Sequence, residues 1–241
     1  MDFIAIDVGN NFIKILVVCN HVEDIIILRE TDELLRFLNE NKTKDFIVII
    51  SDVRNIDSSL FEYISGFKKV LIMKNNLRLP IEIEYENKDK LGSDRIANAV
   101  GAVSLFNNSE ILIIDAGTAI TIDVIINKVF KGGAILPGLQ TMFNSLFQNT
   151  KALPLISFNK NEENFYFPAK NTEDCIKVGI IKGVEYQIIG FIDYFLNIFP
   201  NGKIILTGGD SDYLEKLIKR PIFVDKFLAL KGLIEIAKIN L

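Results

Sequence analysis

The chain has 241 residues, 49% of them hydrophobic, with a formal net charge of −4, two cysteines and one histidine. Such length and apolar content provide for one large domain or two lobes of ordinary size and argue against a disordered chain. The acidic balance argues against a dedicated nucleic-acid binder, which carries a basic face, and one histidine poorly supplies zinc sites or histidine triads. In chain order, strand signals fall at 2–8, 12–18 and 24–28, followed by a helix at about 31–41 and a buried strand at 46–52. Leu60 to Gly66 reads as a short helix, Val70 to Met73 as a strand, and Leu79 to Lys90 as an extended, charged surface connection. Gly92 to Phe106 has helical spacing, with Ile96, Ala99, Val100 and Val103 on one face. Strands follow at 111–115, 119–126 and 129–135, and then a helix from Gly138 to about Gln148. After an irregular stretch at 150–170, a long helix runs from Asn171 to about Phe199, a strand covers 203–207, and two helices finish the chain.

Three strands in a meander followed by alternating helices and strands, performed twice, describe a duplicated α/β architecture. The division falls at 108/109, with one lobe over 1–108 and the other over 109–241. The longest apolar runs, such as Ile111 to Ile114, fall far short of the roughly 20 residues that span a membrane, so no membrane association is expected. The start of the chain enters a strand bearing Asp2 and Asp7, without a signal-peptide pattern, and Cys19 and Cys175 are too few for a disulfide framework. A cytoplasmic protein is expected.

One phrase occurs twice. Phe3-Ile4-Ala5-Ile6-Asp7-Val8-Gly9-Asn10-Asn11 and Ile111-Leu112-Ile113-Ile114-Asp115-Ala116-Gly117-Thr118-Ala119 are each a short apolar strand ending in Asp-x-Gly and a small polar residue. Each leads into a second β-rich run, and the two aspartates lie close to half a chain length apart. One such turn alone is a common hairpin. Two in matching contexts suggest lobes that face each other and hold a polyphosphate from both sides. Gly9 and Gly117 can adopt positive φ and present no side chain, so backbone N–H groups can approach an anion closely. Asn10, Asn11 and Thr118 add donors, and Asp7 and Asp115 supply hard oxygens for cations, in keeping with magnesium's use of one or two carboxylates plus phosphates and water.

The chain has neither Gly-x4-Gly-Lys-Ser/Thr nor Gly-x-Gly-x-x-Gly, so a nucleotide would bind through neither a P-loop nor a dinucleotide fingerprint. Gly92-Ser93-Asp94-Arg95 opens a helix. It can be an ordinary start capped by Ser93 or Asp94 with a solvated Arg95. Alternatively the arginine binds an acidic acceptor and Asp94 takes its hydroxyl proton, a weak base sufficing where phosphoryl transfer is loose.

Together these residues resemble the type III pantothenate kinase family. Asp7-Val8-Gly9-Asn10, Tyr85 ahead of Gly92-Ser93-Asp94-Arg95, Asp115-x-Gly117-Thr118-Ala119, Gly132-Gly133-x-x-x-Pro137-Gly138 and Asn171-Thr172 occur in that family's order over nearly the whole chain. The resemblance implies duplicated actin-like (ribonuclease H-like) lobes with a cleft between them, as in the acetate and sugar kinase, heat-shock protein 70 and actin superfamily. It implies ATP-dependent phosphorylation of pantothenate, the first step towards coenzyme A. It assigns ATP to Asp7, Val8, Gly9, Asn10, Asn11, Phe12, Ile13, Lys14 and Thr118, with magnesium at Asp7 through water. It assigns pantothenate to Tyr85, Gly92, Ser93, Asp94, Arg95 and Thr172, with Asp94 the proton acceptor, and a monovalent cation, K+ or NH4+, to Asp115. It further implies a homodimer with the acceptor site near the subunit interface. The chain departs from the family's usual pattern at Asn11, where a threonine is usual, at Ser93, where alanine is commoner, and after Ser51, where a proline often follows.

Gly132-Gly133 and Pro137-Gly138 bracket the third strand of the second lobe, and Thr207-Gly208-Gly209-Asp210 ends a buried strand, a place where a nucleotide can rest. The helix from Asn171 carries more apolar surface than one 100°-wide stripe requires, so it is either buried within its lobe or set against a partner. Two further readings are a related phosphotransferase acting on another small anionic acceptor and a non-catalytic regulatory homologue. Loss of Asp7, Asp94 or Asp115 would signal the latter, and all three are present.

Overall fold

The computed structural model describes residues 1–42, 45–52, 63–64, 66–73, 77–107, 109–162 and 165–241. Strands β1 (Asp2–Val8), β2 (Ile13–Cys19) and β3 (Val22–Leu28) form an antiparallel meander. After α1 (Thr31–Asn41), which buries Leu34 and Leu38, β4 (Phe46–Asp52) lies parallel to β1, and β5 (Lys69–Ile72) lies parallel to β4. The sheet order is therefore β3-β2-β1-β4-β5. The near-continuous apolar runs of β1 and β4 suit strands buried on both faces, whereas the edge strand β3 carries two charges, Glu23 and Asp24, beside exposed Val22, Ile25 and Ile27. The helix expected at Leu60 to Gly66 lies mostly outside the described residues.

The second sheet follows the same plan. Strands β7 (Ile111–Ala116), β8 (Ala119–Ile126), β9 (Val129–Pro137), β10 (Lys203–Thr207) and β11 (Phe223–Val224) take the order β9-β8-β7-β10-β11. Beyond β9 the short strand β6 (Glu82–Ile83) pairs in parallel with Val129 and Phe130. The segment predicted as a surface connection thus contains a strand, and also a 3-10 turn at Lys88–Lys90. Two residues with alternating apolar and acidic neighbours carry too little pattern to announce a strand, and the partner strand decides the pairing.

The duplication extends to the turns. The β2–β3 hairpin turns through Asn20 and His21 at φ 50° and 66°, and the β8–β9 hairpin through Asn127 and Lys128 at 49° and 64°. Positive φ at both central residues is the two-residue geometry whose twist matches the flanking strands, and asparagine tolerates it well.

The helices are α2 (Ser93–Leu105), α3 (Leu139–Asn149), α4 (Thr172–Ile198), α5 (Ser211–Ile218) and α6 (Leu228–Ile239). The chain forms two compact units, Met1–Ser109 with Ile125–Gly132 and Phe227–Leu241, and Glu110–Val124 with Gly133–Lys226. Each has its own core. The first packs Ile4, Ile6, Val48 and Ile50 under Leu34 and Leu38, and the second packs Leu112, Ile114, Ile181, Ile188 and Leu214. Helix α6, last in sequence, belongs to the first unit and packs along α2 and against β1 and β4. Glycine permits that close crossing. A Cβ on Gly232 would stand 1.8 Å from the Ala97 carbonyl oxygen, and one on Gly101 would stand 2.5 Å from that of Leu228.

Candidate active site

In the first unit, β1 delivers Asp7 to its C-terminal end, in register with Lys14 of β2 and Ser51 of β4. Asp7 is 8% exposed, a buried carboxylate at the mouth of a turn. The Gly9 N–H donates to the Phe12 carbonyl at 3.0 Å, closing a turn that leaves Asn10, Asn11 and Phe12 exposed between buried Val8 and Ile13. The Arg29 guanidinium covers the Phe12 ring, 5.4 Å from its centroid.

The N-terminus of α2 lies beside this strand end. Ser51, wholly buried, has its Oγ 2.9 Å from that of Ser93. The Asp94 Oδ1 accepts the backbone N–H of Arg95 at 2.8 Å. The helix is capped by Gly92 without a side-chain bond, so neither Ser93 nor Asp94 acts as the cap. A Cβ on Gly92 would come within 2.4 Å of Asp94 Oδ1, so a larger residue there would make the carboxylate shift. Arg95 is only 6% exposed, which corrects the reading of a solvated arginine. Its guanidinium stands 5.8 Å from the Tyr85 ring centroid and 5.4 Å from that of Phe130. Asp7, Ser51, Tyr85 and the segment Gly92 to Arg95 all belong to one compact unit.

In the second unit, Asp115 is the next-to-last residue of β7, in register with Thr207 of β10. The Gly117 N–H donates to the Ala119 carbonyl at 3.0 Å. The Thr118 carbonyl accepts both the Gly138 N–H at 2.9 Å and the Thr141 hydroxyl at 2.7 Å, which seats the start of α3 on the turn. A Cβ on Gly138 would meet the Gly117 carbonyl oxygen at 2.0 Å. From the other side comes Gly208, with φ 92°. A Cβ there would meet the Ala116 carbonyl oxygen and Asp115 Oδ1, each at 2.4 Å. The glycine turns that the sequence places at 137–138 and 207–209 thus converge on Asp115 to Thr118. Gly132 and Gly133 instead lie inside β9, where Gly133 passes over the Ile122 carbonyl.

Neither Gly9 nor Gly117 takes up the positive φ open to a glycine. The glycines in that region are Gly132 and Gly208. Both Asp-x-Gly turns close through the glycine's own N–H, a geometry within the ordinary backbone range, and that donor is spent inside the turn.

Thr172 is the first residue of α4 and is exposed. The cap is Asn171, whose side chain accepts the Asp174 N–H at 2.9 Å and donates to the Asp174 carboxylate at 2.7 Å. Thr172 borders an open cavity of about 590 Å³ together with Leu146, Leu153, Lys170, Cys175 and Ile180. The irregular segment before α4 is pinned by side chains that the sequence did not single out. Phe158 stacks on Phe143 and meets Tyr213 edge-on. Lys160 pairs with Asp210 and donates to the Gly209 carbonyl at 3.2 Å. Lys177 bridges Glu173 at 3.0 Å and Glu162 at 3.1 Å, and those carboxylates, Glu173 foremost, raise its pKa. Ser51 and Phe130 were likewise missed as site residues, because their signals, a strand-end serine and an apolar strand residue, are those of any core.

Among the described residues no three His, Cys, Asp or Glu side chains cluster to cage a metal, and no helix is long and apolar enough to cross a membrane. A buried carboxylate such as Asp7 still fits magnesium, which keeps most of its shell as water and substrate phosphate.

The profile of the type III pantothenate kinase family matches residues 3–194. The type III pantothenate kinase of Cytophaga hutchinsonii is 38% identical over 240 residues, covering 98% of this chain and 99% of its own. Among solved structures, a Campylobacter jejuni protein assigned to the Baf family of transcriptional activators superposes with a TM-score of 0.65 at 25% identity, covering 98% of this chain and 97% of its own. The archaeal actin homologue Ta0583, at 10% identity with a TM-score of 0.53 over 99% of both chains, shares the fold alone. The duplicated sheets are therefore actin-like lobes, and the chain belongs to the type III pantothenate kinase family.

Proposed function

We propose that the chain transfers the γ-phosphoryl group of ATP to the primary hydroxyl of pantothenate, giving 4'-phosphopantothenate for coenzyme A synthesis. The observation that carries this reading is the Asp94–Arg95 pair at the start of α2, in a chain whose family match spans residues 3–194. The Arg95 guanidinium, buried beside two rings, takes the acceptor's carboxylate with Tyr85, Gly92 and Ser93 around it. Asp94 accepts the hydroxyl proton as the new P–O bond forms and the bond to the ADP oxygen breaks. Positioning supplies most of the catalysis, since a loose transition state asks little of the base.

The turn from Asp7 to Lys14 serves the ATP phosphates, with Asp7 holding magnesium through water, and Thr118 adds a phosphate contact. Bound magnesium would neutralise charge on the phosphates. Asp115 serves a monovalent cation, K+ or NH4+. Retention of Asp7, Asp94 and Asp115 favours turnover over a purely regulatory role. Both substrates are cytoplasmic metabolites, and the enzyme is placed with them.

The active unit is a homodimer built on α4, with Thr172 reaching the partner's acceptor site. Supporting this, α4 exposes Tyr186, Phe191, Tyr194 and Ile198 along its length. On the same helix Gly183 and Gly190 have open space above their Cα atoms, where a second helix could approach.

A coupled assay for ADP release with ATP, magnesium, potassium and pantothenate tests the activity. Pantothenate-dependent ADP release is expected. Release that is indifferent to pantothenate would overturn the reading.

A further inference from the structure

We infer that Ser51 is a positioning residue for the phosphoryl acceptor: its buried hydroxyl donates to Ser93 and so turns the Ser93 O–H towards an oxygen of that acceptor. The inference rests on the pantothenate kinase activity proposed above and names a residue that the acceptor itself does not touch.

Ser51 has no exposed surface, and β4 holds it in register with Asp7. Ser93, the first residue of α2, is partly exposed and precedes Asp94 in the chain. Their hydroxyl oxygens stand 2.9 Å apart, and among the described residues neither hydroxyl has another hydrogen-bond partner. The Asp94 carboxylate takes the Arg95 N–H and not the Ser93 hydroxyl.

Two hydroxyls that meet have two protons and one hydrogen bond between them. Were Ser93 the donor, the Ser51 proton would be buried with nothing to receive it, which costs more than the bond returns. With Ser51 as donor both protons have a place, that of Ser51 on Ser93 and that of Ser93 on the exposed side, within reach of water or a ligand. Burial therefore sets the direction. The start of α2 then offers two complementary groups side by side. Asp94 receives the proton of the hydroxyl that is phosphorylated, and Ser93 donates to a second oxygen of the same molecule. Without the Ser51 proton the Ser93 O–H is free to turn back towards the strand, and the donor is lost from the site for part of the time.

The test is steady-state kinetics of the unmodified enzyme, Ser51→Ala, Ser51→Cys, Ser93→Ala and the double alanine variant. Ser93→Ala should raise the KM for pantothenate roughly five-fold, in keeping with loss of one neutral hydrogen bond. Ser51→Ala should raise it about three-fold, and should add nothing where residue 93 is already alanine. Ser51→Cys fills the same space with a weak donor, so it should match Ser51→Ala, and it serves alone if Ser51→Ala is recovered poorly. In both Ser51 variants the kcat and the KM for ATP should stay within about two-fold, whereas a displaced helix start would carry Asp94 with it and lower kcat. An unchanged KM for pantothenate in the Ser51 variants or in Ser93→Ala, or a Ser51→Cys enzyme indistinguishable from the unmodified one, would overturn the positioning role. So would an equal effect of Ser51→Ala in both backgrounds, or a fall in kcat alongside the rise in KM; each leaves the proposed activity standing. No turnover of pantothenate by the unmodified enzyme would instead overturn the proposed activity, and this role with it.

Discussion

Ser51 at the end of β4 and Ser93 at the start of α2 place their hydroxyl oxygens 2.9 Å apart, joining the strand beside Asp7 to the helix turn that carries Asp94. Ser51 is wholly buried, so its hydroxyl depends on this partner. Replacing either serine by alanine should cost about 1 kcal/mol, and the double replacement less than the sum of the two. Urea denaturation of the four proteins gives the coupling. Strictly additive losses would show that the hydroxyls act independently.

Asp94→Asn keeps the size of the side chain and an acceptor oxygen for the Arg95 N–H but removes the proton acceptor. General-base catalysis contributes roughly 100- to 10,000-fold, and kcat should fall within that range while ATP binding changes little. Turnover near that of the unmodified enzyme would remove Asp94 from its proposed role.

Asp115 lies next to the end of β7, with Gly208 packed against it and the Gly117–Thr118 turn following. A monovalent cation there would offset phosphate charge. Activity should rise when potassium or ammonium replaces sodium at constant ionic strength, and Asp115→Asn should flatten that response. Equal rates in all three salts would contradict a cation site at this carboxylate.

Gly208 and Gly209 are neighbours with opposite tolerance. Gly208 has φ 92° and would drive a Cβ to 2.4 Å from the Ala116 carbonyl, whereas a Cβ on Gly209 meets nothing within 4 Å. Gly208→Ala should destabilise by more than about 2 kcal/mol, and Gly209→Ala should stay within about 0.5 kcal/mol of the parent. Gly138→Ala, aimed at the Gly117 carbonyl at 2.0 Å, should behave like Gly208→Ala. Thermal denaturation of the three variants ranks them directly.

Oligomeric state and site sharing can be separated. Sedimentation should give a dimer, and Tyr194→Glu, at a position 67% exposed in the single chain, should dissociate it. Asp94→Asn and Thr172→Ala subunits, each inactive alone, should regain activity when mixed, because one site per hybrid recovers both groups. A fully active monomer, or hybrids that stay inactive, would rule out the shared site.

The apolar runs ending in Asp7 and Asp115, the glycine after each, and the helical spacing from Gly92 are local patterns, and they were legible without coordinates. Period and turn chemistry act over a few residues, so the strands, the long helix and the repeated plan could be read from the chain. Only the tertiary structure decided what each polar group faces. Arg95 reads as a surface residue by type, yet it is buried because Phe130, 35 positions later, is brought beneath it by the β6–β9 pairing. Ser51 meets Ser93 through strand register, and Gly208 meets Asp115 because β10 lies beside β7. The final helix packs with the first unit because Gly232 and Gly101 allow it against α2. Local sequence sets the elements. Long-range packing, in which each element is selected by the surface its partner offers, builds the site.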